Sequence, residues 1–363
     1  MTISLARGVP PPELLPADEL ADCARAVLSE QGSTLLNYGH VSGYAPLRER
    51  VAARHGVEPA RVVLTPGSLP GLAVLARVLL ARGRRPIVEA PSYDRPLRLL
   101  EALGTDIAAV PLGDDGLDVE ALERATAATA PAFLYAIPTY QNPSGRTYPE
   151  SARRQLLELA RAYDLLILED DPYRLVCFGD PPPPTLFELA GGEGVVYAAS
   201  FSKIVAPGLR VGYLVLPPEL VPDVEREAVG TYLSPALTLQ ATLHEFIERG
   251  LLDPNLERAR TVLRERRDAM LDALERHFGD CASWSRPDGG YFVWLQLPEG
   301  ALADDVAARA ADLGVTVVTG ADFYVRGEGG ASALRLAYSF ASAPELARAI
   351  ELLAAALPSP APV

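Results

Sequence analysis

Between residues 62 and 215 the chain repeats one pattern: a short apolar run, a turn, then a stretch with helical spacing. The runs fall at 62–65, 87–89, 107–110, 132–137, 165–168, 195–199 and 211–215. Each has the length of a strand and is too short for a buried helix. One intervening stretch places Ala152, Leu156, Leu159, Ala160 and Tyr163 on one helical face. Thr147 and Glu150 have the spacing of a capping box and predict the start of that helix. Strand, helix, strand in succession needs a crossover, so neighbouring strands run parallel and helices cover both faces. The expected fold class is α/β, with a large, mostly parallel seven-stranded sheet between helices. Ligands of such sheets sit beyond the carboxyl ends of the strands.

Both ends of the chain read differently. Pro10-Pro11-Pro12 and Pro16 keep the first residues out of a helix. A helix is predicted over 17–28 and another from near Pro46, a residue tolerated in a first turn. Past residue 220 come a long helix at 255–278, strands at 291–296, 315–318 and 333–338, and a last helix at 344–357. That is the pattern of a smaller α+β domain. The expected division is an N-terminal arm and helix at 1–37, a large domain at 38–240, a small domain at 241–357 and a Pro-rich tail at 358–363.

A formal net charge of −14 repels a phosphate backbone and argues against nucleic acid as a partner. Cys23, Cys177 and Cys281 lie far apart, with neither disulfide nor metal-ligand spacing, and read as small buried hydrophobes. No metal is expected. The N-terminus lacks a signal-peptide core, and no apolar run reaches the about 20 residues of a membrane span. A cytoplasmic protein without a membrane partner is expected.

Of 33 lysines and arginines, one alone is lysine, Lys203. A lysine amine can lose its proton and attack a carbonyl, which a guanidinium cannot. Lys203 follows the run 195–199, where a ligand belongs. Ser200 and Ser202 flank it and Arg210 follows, a set of donors and charge suited to a phosphate. Gly67 and Ser68, between a strand and a helix, add a second anion element. Glu169-Asp170-Asp171-Pro172-Tyr173 ends another strand. A carboxylate there would keep a pyridine nitrogen protonated, and a phenol would reach a ring hydroxyl. Asn142, in Gln141-Asn142-Pro143-Ser144-Gly145, offers an amide to the same oxygen. Together these groups describe pyridoxal 5′-phosphate (PLP).

At this point the chain resembles the class I and II aminotransferases of PLP fold type I, particularly the 2-aminoadipate and kynurenine branch. The motifs run in order from Ile3-Ser4-Leu5-Ala6-Arg7-Gly8 to Leu334-Arg335-Leu336, by way of Pro287-Asp288-Gly289-Gly290-Tyr291. The resemblance implies that Lys203 holds PLP as a Schiff base and serves as general base. Asp170 would pair with the pyridine nitrogen, since its spacing to Tyr173 matches the family's Asp-x-x-Tyr; Asp171 is the competing carboxylate. Tyr173 and Asn142 would contact the ring hydroxyl. Gly67, Ser68, Ser200, Ser202 and Arg210 would bind phosphate, and Tyr93 would stack on the ring. Arg335 would fork the substrate α-carboxylate, beside Asn142. Tyr38 would reach a neighbouring subunit's phosphate in a homodimer with shared active sites. The implied reaction moves an amino group from an L-amino acid to a 2-oxo acid by a ping-pong route. The alternative is other PLP chemistry on the same fold: a lyase, a decarboxylase, or an oxygen-dependent oxidase or cyclase.

Two departures stand out. Relatives of the aminoadipate and kynurenine kind carry a helix ahead of Ile3-Ser4-Leu5-Ala6, whereas this sequence starts at that segment. Asn255 stands where relatives often have His. The side-chain pocket is expected between 5–16 and the stretch around Tyr232, apolar and aromatic apart from Arg7. A transcription regulator fused to an aminotransferase-like domain would need a basic winged-helix segment, which these residues do not suggest.

Overall fold

The alternating runs of the first half become a single twisted sheet. In the computed structural model, which describes residues 2–81 and 84–358, the strand order is Val62–Thr65, Gly212–Val215, Val195–Ser200, Ile167–Asp170, Leu134–Ala136, Ile87–Ala90, Ala108–Gly113 and Gly116–Leu117. Gly212–Val215 runs antiparallel to both neighbours, and the inner strands from Val195–Ser200 to Ala108–Gly113 are parallel. The seven expected runs are all present. The eighth strand, two residues folded back on Ala108–Gly113, is too short to leave a pattern in the sequence.

Strand periodicity sorts the side chains between two cores. Val63, Val88, Tyr135, Leu168 and Val196 pack on one face with helix Ser68–Leu80. Val62, Ile87, Leu134, Ile167 and Val195 pack on the other with helices Ala45–His55 and Glu150–Ala162. Helix Ala45–His55 has Pro46 in its first turn and ends on Gly56 at φ +63°, a conformation that glycine adopts without strain.

A second sheet orders Ser283–Trp284, Phe292–Gln296, Ala333–Ala337 and Val318–Thr319, all antiparallel. Helix Leu252–Phe278 packs on the last helix, Ala343–Ala355, which starts with a Ser342/Glu345 capping box. The N-terminal strand Ile3–Ser4 pairs with Val315–Thr316, and Ala337 N donates to Leu5 O at 2.7 Å. The arm is thus stitched to this smaller sheet.

Several expectations are corrected. The capping box at Thr147 and Glu150 does not form: Pro149 takes the N-cap position, and Thr147 Oγ1 accepts from Tyr140 N at 3.1 Å. The single strand at 315–318 is two, because Val315–Thr316 serves the arm and Val318–Thr319 serves the sheet. The first helix, Ala17–Leu35, runs past residue 28 through a distorted turn at Gln31. Of the cysteines only Cys23 is buried; Cys281 is exposed. Among the described residues, no helix is long and apolar enough to cross a membrane. Residues 359–363, most of the Pro-rich tail, lie outside the described residues.

Candidate active site

The carboxyl ends of the parallel strands bring the chemistry together. Asp170 is the last residue of its strand and is 2% exposed. Tyr135 pairs with Leu168 on the neighbouring strand, so Tyr135, Leu168 and Asp170 share a face. The Tyr135 hydroxyl donates to Asp170 Oδ2 at 2.7 Å. The other oxygen, Oδ1, is buried without a partner. Desolvation, eased by the Tyr135 bond and reinforced by Asp171, raises the Asp170 pKa to about 7.

Its acidic neighbours point elsewhere. Glu169, on the opposite face, accepts from Leu186 N and Phe187 N at the start of a short helix. Asp171, just past the strand, accepts from Tyr197 Oη at 3.0 Å. Side-chain alternation therefore turns Asp170 away from the carboxyls on either side of it.

Lys203 lies just beyond strand Val195–Ser200. Its amine donates to the Gly8 carbonyl at 2.6 Å and sits 5.6 Å from the centre of the Tyr291 ring. Tyr291 in turn donates to the Lys203 carbonyl at 2.8 Å. Desolvation, then the positive charges of Arg335 and Arg210, lower the Lys203 pKa to about 8. Ser200 Oγ donates to Ser202 Oγ at 2.9 Å and accepts from Ser202 N at 3.1 Å, which folds this turn tightly.

Gly67 is the N-cap of helix Ser68–Leu80, at φ +102°. Arg210, itself at φ +50°, lies against it and donates to Pro66 O at 3.2 Å. A Cβ on Gly67 would stand 2.3 Å from Arg210 Nη2. A helix N-terminus, two hydroxyl-bearing segments and one guanidinium thus converge, as an anion requires.

Arg335 comes from the small sheet, paired with Trp294 and Val318. Its Nη1 donates to Asn142 Oδ1 at 3.1 Å and Nη2 to Ala6 O at 2.8 Å, while Nε is buried without a partner. The Phe292 ring lies 4.3 Å and the Phe323 ring 4.9 Å from its guanidinium carbon. Burial raises the pKa values of Tyr93 and Tyr173. Tyr38 stands apart, 80% exposed. Arg7 lies over the Phe340 ring, and the Tyr232 hydroxyl is buried without a partner.

The residues fit PLP. Asp170 Oδ1 is a buried acceptor awaiting a donor, the role of a pyridinium N–H. The glycine cradle at Gly67 has room only while no side chain is present. Sequence reading missed Tyr135, Gly8 and Tyr291 as partners of Asp170 and Lys203. The contact from Tyr135 to Asp170 depends on strand register, and the Gly8 contact is made by a backbone carbonyl, which no residue type announces. Asn255, the departure noted above, donates to Ile204 O at 2.9 Å and accepts from Arg258, so it ties the long helix to the segment after Lys203.

Comparison with known proteins points the same way. The family described as aminotransferase class I and II matches residues 3–353. A 2-aminoadipate transaminase of Thermus thermophilus is 39% identical over 98% of this chain and 90% of its own length. The solved structure of LysN, an alpha-aminoadipate aminotransferase from Thermus thermophilus complexed with N-(5′-phosphopyridoxyl)-L-leucine, superposes with a TM-score of 0.93 at 39% identity, covering 98% of this chain and 92% of that one. A kynurenine aminotransferase from Pyrococcus horikoshii also superposes with a TM-score of 0.93, at 32% identity, covering 98% and 90%.

Proposed function

The chain belongs to the class I and II aminotransferases and is a PLP-dependent transaminase, and from that premise we propose how its residues divide the work. The observation that carries the assignment is Asp170 Oδ1, a buried acceptor without a partner on the strand beside the one leading to the lone lysine. Bound PLP supplies an electron sink that makes the Cα–H of an attached amino acid acidic.

The chain's own residues do the rest. Asp170 holds a proton on the ring nitrogen through Oδ1, with Tyr135 fixing the other oxygen. Lys203 holds the cofactor and then moves the Cα proton at Nζ; a pKa near 8 lets the amine both take and return it. Gly67, Ser68, Ser200, Ser202 and Arg210 hold the phosphate. Tyr93 stacks on the ring. Tyr173 and Asn142 orient the ring oxygen. Arg335 presents Nε and an Nη to the α-carboxylate as a fork, with Phe292 and Phe323 excluding water from it. An amino acid and a 2-oxo acid use the site in turn.

We assign the large cofactor-holding part to 38–240 and the small part to 241–357, with 1–37 as an arm. We further propose a homodimer that shares its active sites: Leu36 and Tyr38, 76% and 80% exposed, leave an apolar stretch uncovered on one chain. A cytoplasmic location suits the three free cysteines, one of them exposed.

The test is an absorbance screen of amino acids against the PLP-loaded protein. The expected result is conversion of the cofactor to its aminated form and its recovery on adding a 2-oxo acid. Release of carbon dioxide or consumption of oxygen in place of that cycle would overturn the reading. Lys203→Ala is expected to keep the fold and lose the visible absorbance; turnover at the wild-type rate would refute the role of the lysine.

A further inference from the structure

Glu89 is a carboxylic acid that the reaction does not use, sealed at 1% exposure inside the sheet end. None of its hydrogen-bond partners is a cation. It accepts from Ile137 N at 2.8 Å, from Gln141 Nε2 at 2.9 Å, and from the Tyr148 hydroxyl. Burial pushes its pKa up to about 7 against the pull of these donors. Such a group is costly to bury and needs every donor it has.

We propose that Glu89 is a positioning residue: by fixing Gln141 it holds the Asn142 loop in place against Arg335 and the ring oxygen of the cofactor. The orientation of Gln141 follows from its partners. Glu89 Oε2 and Pro91 O are both acceptors, so Nε2 must face them, at 2.9 and 2.8 Å. Ser144 N is a donor, so Oε1 must face it, at 2.8 Å. All three polar contacts of the amide are used, and only one orientation satisfies them.

The backbone of the same residue closes the loop. Gln141 N donates to Arg146 O at 2.9 Å, and Gly145 N donates to Gln141 O at 2.6 Å. A Cβ on Gly145 would stand 2.5 Å from Phe292 O, so the loop has no slack towards the small sheet. Asn142 is the next residue, and its amide oxygen accepts from Arg335. Through Pro91 O the same peg holds the turn leading to Tyr93. One buried carboxylate thus sets two segments that face the cofactor.

This inference rests on the proposed contact between Asn142 and the ring oxygen. The readout is the pH midpoint of the visible absorbance of the PLP-loaded protein, which responds to donors on that oxygen, together with KM and kcat. Glu89→Gln turns an acceptor into a donor opposite Gln141 or Ile137. It is expected to move the midpoint in the same direction as Asn142→Ala and to raise KM by about tenfold, the scale of one displaced hydrogen bond to a charged group. The double variant is expected to move the midpoint no further than Asn142→Ala alone, because the two act through one contact. Gln141→Met, which leaves Glu89 intact, is expected to act like Glu89→Gln and serves if the latter fails to fold. Tyr148→Phe removes a different donor from Glu89 and is expected to lower Tm without moving the midpoint.

A moved midpoint in Asn142→Ala with wild-type values in Glu89→Gln or Gln141→Met would overturn the proposal alone. So would additive shifts in the double variant, or an equal shift in Tyr148→Phe. An unmoved midpoint in Asn142→Ala would overturn the role of Asn142 and the proposal with it.

Discussion

The hydroxyl of Tyr135 donates to Asp170 Oδ2 at 2.7 Å, leaving Asp170 Oδ1 buried without a partner. The bond favours the ionised carboxylate, which desolvation opposes. Tyr135→Phe removes the donor but keeps the ring. A hydrogen bond to a charged group contributes about 1.5–3 kcal/mol, so kcat/KM is expected to fall by about tenfold or more. Steady-state kinetics on the folded variant check this; an unchanged kcat/KM would remove Tyr135 from the site.

The raised Asp170 pKa also carries a pH dependence. Its folded-state value is lifted from 3.8 to about 7, so the fold favours the protonated form. That contribution to stability is present below the unfolded value and is lost as pH rises through about 7. For the protein stripped of cofactor, Asp170→Asn lacks this loss. Its Tm relative to wild type is expected to improve steadily from pH 4 towards pH 7, on the scale of about 1.4 kcal/mol per pKa unit. Thermal unfolding across that range checks it, and a flat difference would contradict it.

Lys203 is the only lysine, so its titration can be read by chemistry alone. An amine-acylating reagent on the cofactor-free protein is expected to modify this one side chain with a midpoint near pH 8, below the ordinary 10.5. Arg335→Met removes one of the two positive charges acting on it and is expected to raise the midpoint. Peptide mass spectrometry across a pH series gives the answer; a midpoint at the ordinary value would mean that the amine is not desolvated.

Arg335→Lys keeps the charge and loses the fork, including the bond to Asn142 Oδ1. KM for the amino acid is expected to rise by about 10- to 100-fold, from the about 1.5–3 kcal/mol of a charged hydrogen bond. A rise shared by every amino acid tested would mark the α-carboxylate as the partner. An effect confined to one side-chain class would place Arg335 elsewhere in the substrate.

Gly67→Ala puts a methyl group where Arg210 Nη2 lies, at a φ of +102° that L-residues rarely adopt. Strain of this kind costs about 1–3 kcal/mol and falls on the proposed phosphate cradle. Weaker PLP binding by about tenfold or more is expected, read by absorbance titration.

Much of this was written in the order of the residues. Short apolar runs at strand length, separated by helical spacing, leave a covered parallel sheet as the economical way to bury them. One lysine among 33 lysines and arginines singled out Lys203 as the candidate for a deprotonable amine. Local signals failed where a neighbour outside the segment decided. Pro149 displaced the capping box, and strand pairing with the arm split 315–318.

What tertiary structure alone decided was direction and distance. Glu169, Asp170 and Asp171 are three adjacent carboxyls, and only the resemblance, through the spacing to Tyr173, favours Asp170 in the sequence. Strand alternation and the register of Leu168 against Tyr135 turn Asp170 towards the tyrosine and Glu169 to the opposite face, while Asp171, past the strand end, meets Tyr197. Arg335 meets Asn142 across 193 residues of chain because the small sheet folds back over the large one. Composition and periodicity are local properties, and sequence carries them. Which donor meets which acceptor is set by register and packing between segments far apart in the chain, and those exist only once the chain has folded.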